Sequence, residues 1–147
     1  MKNILVPTDF SDAAHHVVQV ATTLAGPLGA KIWIVHVAAP DPDFVGFDAG
    51  PQYVREQRAD VLRKEHLDLQ NMAKGIRDQS IEAEALLVQG PTSETLLDEV
   101  ERLKIDLIVM GSHGRSGLFK ALLGSVSEQV LGASKIPVLI VPFPDRH

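Results

Sequence analysis

The chain has 147 residues, 14 basic and 19 acidic side chains, a formal net charge of −5 and no cysteine. This length predicts one domain, which can bury a full core without disulfides or a thiolate metal site. An acidic chain without a basic patch argues against a nucleic-acid backbone as the main partner. The first apolar run, residues 4–7, is too short for a signal peptide, and no run reaches the roughly 20 apolar residues of a membrane helix. We therefore expect a cytoplasmic protein that binds neither membranes nor nucleic acids.

Short apolar segments alternate with amphipathic segments along the chain. Strands are predicted at residues 4–7, 31–37, 81–88, 106–110 and 136–142. Between them the apolar spacing indicates helices, and the order is β-α-β-α-β-α-β-α-β. Such alternation is typical of an α/β protein with a five-stranded, open, parallel sheet and helices on both faces.

Local signals set the expected ends and faces of the helices. Ser11 is the predicted N-cap of the first helix, and Gly26-Pro27 is expected to end it. Ser125 and Glu128 match a capping box at the start of the last helix. The long helix at 53–77 should follow a long irregular connection at 38–51. Its predicted inner face comprises Val54, Val61, Leu62, Leu69, Met72 and Ile76.

Two of the predicted strands end in unusual polar loops. The first strand runs into Pro7-Thr8-Asp9, and the fourth runs into the glycine loop Gly111-Ser112-His113-Gly114. Ligands of open parallel sheets bind outside the carboxyl ends of the strands, where the strand order reverses. Both loops face one crevice if the Rossmann-like order is 3-2-1-4-5. The alternative order, 2-1-3-4-5, would separate them.

The glycine loop, with Gly124-Ser125 beyond it, is suited to phosphate because glycine lets a ligand approach bare backbone amides. The standard phosphate-binding, dinucleotide-binding and serine-hydrolase motifs are absent from the sequence. It contains neither a P-loop, nor the Gly-x-Gly-x-x-Gly motif after the first strand, nor a Gly-x-Ser-x-Gly elbow. His15 and His16 have no cysteine or acidic cluster beside them that would indicate a metal site.

The spacing Gly111-x2-Gly114-x9-Gly124-Ser125 resembles the nucleotide-binding signature of the universal stress protein family, in its ATP-binding branch. The similarity covers nearly the whole chain, including residues 4–11, 35–37, 106–114 and 137–141. The resemblance implies a regulatory stress-response protein that binds ATP, with or without Mg²⁺, and forms a homodimer. An apolar edge strand at 136–142 also favours pairing across a two-fold axis.

The resemblance also implies which residues contact the nucleotide. Asp9 and the Pro7-Thr8 backbone would lie by the adenosine, with Val37 near the adenine. The other expected contacts, with the ribose and the phosphates, lie at the end of the fourth strand and beyond it: Met110, Gly111, Ser112, His113, Gly114, Arg115, Gly124, Ser125 and Val126. The chemistry of the residues agrees, because Asp9 is an acceptor for an amine or hydroxyl and Ser125 offers a helix-start amide to an oxyanion.

Four functions remain open at this point. The first is nucleotide binding for regulation. The second is slow Mg-dependent ATP hydrolysis, with Asp9 and the metal as helpers, although no acidic metal pair stands beside the glycine loop. A serine hydrolase using Ser112 or Ser116 with His113 lacks the elbow motif. The fourth is a structural dimer with an empty pocket. His113 and His36 are both expected to shape the local structure, so no catalytic residue is assigned.

Overall fold

The structure is a computed structural model that describes residues 1–38, 52–112 and 123–142. Strands and helices alternate throughout these residues. They are β1 (Asn3–Pro7), α1 (Asp12–Leu28), β2 (Lys31–Ala38), α2 (Gln52–Arg77), β3 (Ala83–Gln89), α3 (Thr92–Arg102), β4 (Leu107–Gly111), α4 (Ser125–Ala133) and β5 (Val138–Val141). The predicted connection at 38–51 lies outside the described residues except for Ala38, which ends β2.

The five strands form one parallel sheet in the order β3-β2-β1-β4-β5, which confirms the predicted topology. β1 lies at the centre, with Ile4 opposite Ile32 of β2 on one side and Leu107 of β4 on the other. β3 and β5 are the edge strands. The order reverses between β1 and β4, so this is the point where a ligand crevice is expected.

Two layers of helices bury the two faces of the sheet. α1 and α2 cover one face, where their apolar side chains pack on alternate residues of the strands, including Ile4, Val6, Ile32 and Ile34. α3 and α4 cover the other face, which carries Leu5, Val35, Ile108 and Met110. The central strands are therefore apolar on both sides, as expected for a fully covered parallel sheet.

α1 does not end at Gly26-Pro27, so that prediction was wrong. The helix continues to Leu28 with Pro27 inside its last turn. Gly29 ends it in the left-handed conformation at φ 63°, and its N–H donates to the Gly26 carbonyl over 3.2 Å. Ala30 N–H reaches the Ala25 carbonyl over 3.0 Å, which completes a Schellman motif. Pro27 has no N–H to bond the Thr23 carbonyl, so the last turn lacks that hydrogen bond, and the bonds of Gly29 and Ala30 close the helix beyond it.

The inner face of α2 was predicted only in part. Leu69 and Ile76 are buried and Met72 is half-buried, but Val61 is 47% exposed. The helix has 26 residues, which corresponds to about 39 Å. Strand β2 beneath it has 8 residues, or about 26 Å. The amino-terminal part of α2 thus has little sheet to pack against, and the apolar spacing alone overstates the buried stripe.

β5 is also shorter than predicted, because Pro137 and Pro142 flank it and have no N–H to donate to a strand partner. Within the described ranges, none of the helices combines the length and the apolar character that crossing a membrane requires.

A polar cluster closes the amino edge of the sheet, where the strands begin. Asp106 Oδ2 accepts hydrogen bonds from the backbone N–H of Lys2 (2.8 Å) and Asn3 (2.9 Å). These two bonds, chiefly the one from Lys2, lower the pKa of the Asp106 carboxyl. Trp33 Nε1 donates to Asn3 Oδ1 over 3.1 Å, and Lys31 Nζ lies 4.0 Å from the centre of the Trp33 ring. The starts of β1, β2 and β4 are therefore joined by side chains.

Candidate functional site

A cavity of about 140 Å³ opens at the carboxyl edge of the sheet, between the ends of β1 and β4. Two strand ends, the first turns of α1 and α4, and the start of α3 form its walls. The residues that line it are Pro7, Thr8, Asp9, Ser11, Ala13, Ala14, Val17, Thr92, Leu96, Met110, Gly111, Val126 and Ser127. The cavity thus lies at the switch point that the strand order creates.

The loop from β1 to α1 places a carboxylate at this cavity. Asp9 Oδ1 accepts hydrogen bonds from Ser11 N–H over 3.0 Å and from Ser11 Oγ over 2.5 Å. Ser11 in turn caps α1, since its Oγ accepts the N–H of Ala14 over 3.3 Å, which confirms the predicted N-cap. The side chain that starts α1 therefore also orients Asp9.

Phe10 gives this loop an unusual backbone. Its φ is +63°, in the left-handed region that a bulky L residue rarely occupies. Phe10 N–H donates to Thr8 Oγ1 over 3.1 Å, and Thr8 N–H extends the sheet by bonding the Val35 carbonyl over 2.9 Å. The sharp reversal at Phe10 sends Asp9 and Phe10 to different sides of the loop, Asp9 to the cavity and Phe10 to the α1/α2 layer.

The opposite wall is held together by backbone bonds around the glycine loop. Ser112 N–H bonds the Val141 carbonyl over 2.9 Å, and Gly124 N–H bonds the Ser112 carbonyl over 2.7 Å. The residue before α4, Gly124, therefore lies beside Ser112 at the end of β4. The buried hydroxyl of Ser127 donates to the Gly111 carbonyl over 2.6 Å, which fixes the first turn of α4 against the end of β4.

α4 begins one residue earlier than the capping-box pattern indicates, so the predicted Ser125 cap was wrong. Gly124 is the N-cap, at φ −65° and ψ 159°, and Ser125 is the first helical residue. Glu128 N–H bonds the Gly124 carbonyl over 2.9 Å. A glycine N-cap has no side chain to satisfy the first amides, so these amides and the positive end of the helix are suited to an anion.

The cavity brings together six of the predicted nucleotide contacts: Pro7, Thr8, Asp9, Met110, Gly111 and Val126. Ser112, Gly124 and Ser125 are not among the described lining residues; Ser112 follows the lining residue Gly111, and Gly124-Ser125 precede the lining residue Val126. Val37 packs with the core of the α3/α4 face and is likewise not among them. His113, Gly114, Arg115 and Ser116 lie outside the described residues.

The structure also adds residues that the sequence did not suggest. In the sequence, Ser127 is only an interior position of the predicted capping box. In the structure, its hydroxyl holds the end of β4. Thr92 and Leu96 come from α3, and the small residues Ala13 and Ala14 come from α1. The position of Thr92 directly after a strand-ending Gly90-Pro91 was the available signal, because such loops meet at the carboxyl edge.

The fold and the cavity together define an open, doubly wound α/β protein with a ligand crevice at its switch point. The model of the universal stress protein family matches residues 1–142. The chain belongs to the universal stress protein family, as the resemblance predicted.

Individual relatives agree with this assignment. Universal stress protein MJ0531 of Methanocaldococcus jannaschii is 31% identical over 147 residues, covering 99% of this chain and 85% of the relative. The solved structure of MJ0577 from the same organism has a TM-score of 0.84 at 27% identity, covering 99% of this chain and 98% of that one. A universal stress protein solved in complex with cAMP has a TM-score of 0.66 at 25% identity, with 97% and 98% covered.

Proposed function

We propose that this protein binds ATP and acts as a regulatory stress-response protein of the cytoplasm. The observation that carries the proposal is the cavity at the switch point, with the Asp9 carboxylate on one wall and the amino-terminal end of α4 on the other. The family match over residues 1–142 supports a single domain that contains this site.

The described residues fit an adenine nucleotide in chemical terms. Asp9 supplies acceptors for an amine or a ribose hydroxyl. Leu96, Met110 and Val126 supply apolar surface for a base or sugar face. The first amides of α4, behind the side-chain-free N-cap Gly124, suit a phosphate. The solved relative in complex with cAMP supports the same class of ligand.

We further propose nucleotide contacts for residues that are not among the described cavity-lining residues. Val37 is proposed to lie near the adenine, and Ser112, His113, Gly114 and Arg115 to follow the phosphates. Gly124 and Ser125 would then lie at the far phosphates. The bond from Gly124 N–H to the Ser112 carbonyl supports this arrangement, since it keeps the helix start beside the end of β4.

The test is calorimetric titration of the purified protein with ATP, ADP, AMP and cAMP. We expect ATP to bind, and Gly124→Val to weaken binding by about a hundredfold by blocking the phosphate approach. Valine tolerates the φ of −65° at this position, so the fold should survive. Gly132→Ala on the same helix is the matched control, because an added Cβ there meets nothing within 4 Å. Unchanged ATP affinity in Gly124→Val would show that the phosphates lie elsewhere.

The alternative is a slow Mg-dependent ATP hydrolase that acts as a nucleotide switch. It draws support from the same Asp9 carboxylate, which could help to hold Mg²⁺, while the metal would neutralise charge on the phosphates. Incubation of the loaded protein with Mg²⁺ separates the two functions. Bound ATP that survives supports the regulatory role, and steady release of phosphate that Asp9→Asn abolishes supports the hydrolase.

We also propose that the protein forms a homodimer through β5, the strand predicted at 136–142. β5 pairs with β4 on one side and is an edge strand, and Leu139 on it is 38% exposed. An apolar edge strand favours antiparallel pairing with a second copy. Light scattering at micromolar concentration should give a dimer for the wild type and for Leu28→Lys, whose side chain lies at the end of α1. Leu139→Lys should be a monomer, whereas a monomeric wild type would refute the interface.

A further inference from the structure

His36 joins the loop between β1 and α1 to helix α2. It lies near the end of β2, on the same face of the sheet as Ile32 and Ile34, and its side chain is only 12% exposed. Its Nδ1 lies 2.8 Å from the Thr8 carbonyl oxygen, and its Nε2 lies 2.6 Å from Glu65 Oε2 of α2. One ring therefore bridges the residue before Asp9 and a carboxyl group on another element.

The partners of the ring determine where its protons lie. A carbonyl oxygen only accepts, so Nδ1 carries hydrogen and donates to Thr8. A proton must also lie between Nε2 and Glu65 for that short contact to be a hydrogen bond. The bond made by one ring nitrogen sets the protonation of the other, so Glu65 selects the form of His36 that can hold Thr8.

The same ring supports the strained residue of the loop. The Phe10 ring lies 4.6 Å from the His36 ring, centroid to centroid, at an interplanar angle of 47°. Phe10 has the φ of +63°, and such a conformation persists only where its surroundings over-determine it. Thr8 adds a contact from its Oγ1 to the sulfur of Met72, at 4.0 Å. Residues 8–10 are thus held from the α2 side, while Asp9 faces the cavity.

We propose that His36 is a positioning residue of the nucleotide site, with Glu65 favouring the form that carries a hydrogen on Nδ1. This inference rests on the proposed function. His36 does not line the cavity formed by the described residues; it acts through the Thr8 carbonyl and the Phe10 ring to fix the Asp9 carboxylate. Changes on α2, on the far side of the loop, should therefore alter ATP affinity.

The test compares two substitutions of His36 that each keep one of its bonds. In His36→Asn the side-chain amide can occupy the place of Nδ1 and donate to Thr8, but it cannot reach Glu65. In His36→Gln the amide can reach Glu65 but cannot donate to Thr8. Both variants lose the ring, so both should lose stability to urea. ATP affinity should fall by about tenfold or more in His36→Gln and by less than about threefold in His36→Asn. His66→Asn, an exposed position on α2, is the control.

Two substitutions of Glu65 provide a second comparison. Glu65→Gln can donate its amide hydrogen to Nε2, which leaves Nδ1–H directed at Thr8, so ATP affinity should stay within about threefold of the wild type. Glu65→Met has a similar length without a polar end, and affinity should fall by about tenfold. Nitrogen NMR of the ring should show a hydrogen on Nδ1 in the wild type and in Glu65→Gln, and a smaller share of that form in Glu65→Met, where only the Thr8 carbonyl favours it.

The outcomes separate the inference from the function it rests on. If the wild type and His66→Asn bind no ATP, the proposed function fails and the inference falls with it. If they bind, but His36→Asn and His36→Gln weaken binding equally and in proportion to their lost stability, His36 is a structural residue only and the inference alone is refuted. Faster amide exchange at residues 9–11 in His36→Gln than in His36→Asn, without nucleotide, would support the positioning role.

Discussion

The amino and carboxyl edges of the sheet are formed by the same strands, yet they use polar groups in opposite ways. At the amino edge, Asp106, Asn3 and Trp33 satisfy one another and the backbone, and the result is a closed cluster. At the carboxyl edge, Asp9 is bound to its neighbour Ser11 but lines a cavity, and α4 starts on a glycine. One edge therefore contributes to stability, and the other keeps polar groups where a ligand can reach them.

The two edges also differ in where the backbone is strained. The described residues outside glycine with positive φ are Phe10, Ser80 and Lys104. Ser80 and Lys104 follow the ends of α2 and α3, where a left-handed residue commonly ends a helix. Phe10 is instead an aromatic residue beside the cavity. Strain of that kind at a ligand edge is a common feature of functional sites, because it fixes side chains before a ligand arrives.

The largest effect is expected at Phe10. Phe10→Ala should lower the free energy of unfolding by about 2 kcal/mol, because it removes half-buried packing against His36 and keeps the strained backbone. Phe10→Gly also loses the packing but relieves the strain. It should be more stable than Phe10→Ala by about 1 kcal/mol in urea unfolding. Equal stability of the two variants would mean that the relieved strain is no larger than the added freedom of glycine in the unfolded chain.

A substitution of Ser127 is expected to lower both the free energy of unfolding and the affinity for ATP. Ser127→Ala leaves the Gly111 carbonyl without the hydroxyl, so unfolding free energy should fall by about 1.5 kcal/mol. ATP affinity, measured by titration, should fall as well because the end of β4 is released. Ser134→Ala is the matched control at the other end of α4, since Ser134 Oγ donates to the Ile136 carbonyl over 2.8 Å. The control should lose stability and keep its affinity; a loss of affinity in both variants would contradict the distinction.

A substitution of Asp106 measures how much its charge at the amino edge of the sheet contributes to stability. Asp106→Asn keeps an acceptor but loses the charge, and with partial solvent screening it should destabilise the protein by about 1 kcal/mol at neutral pH. The pKa of Asp106 is lowered in the fold, first by the Lys2 N–H and then by the Asn3 N–H. Its contribution is therefore complete above the ordinary pKa of 3.8 and is lost as the pH falls through the folded value.

Urea unfolding as a function of pH measures this contribution. The stability difference between the wild type and Asp106→Asn should shrink as the pH falls below 3.8, provided that both proteins remain folded without denaturant. ATP affinity at neutral pH should be the same in both. A difference in stability that persists unchanged in acid would show that the lost charge is not its cause.

The smallest effect is expected at Lys104, where φ is +54°. Lys104→Gly should raise the free energy of unfolding by about 0.5 kcal/mol, since relief of the left-handed strain slightly exceeds the added freedom of the unfolded chain. Lys104→Ala removes the same charge without relieving the strain, and it should not be stabilising. Thermal unfolding can resolve the pair, and neither variant should change ATP affinity.

Local patterns were sufficient for most of the fold. The fully apolar strands and the placement of two polar loops after β1 and β4 led to the strand order and to loops that contain Asp9 and Gly111, whereas Met110 came from the family resemblance. Patterns failed where two local signals competed. Pro27 is tolerated because Gly29 and Ala30 complete a motif beyond it. Ser125 matched a capping box, yet Gly124 occupies the cap and Ser127 turns its hydroxyl to Gly111.

By itself, the sequence determined the elements, their order in the sheet and the family, because these depend on the period of apolar residues and on the spacing of glycines. Only the tertiary structure decided which side chains meet. Thr92 and Leu96 reach the cavity from α3, and His36 meets both Thr8 and Glu65, although these residues are far apart along the chain. Contacts of this kind arise when separate elements pack on one sheet, and no local pattern records them.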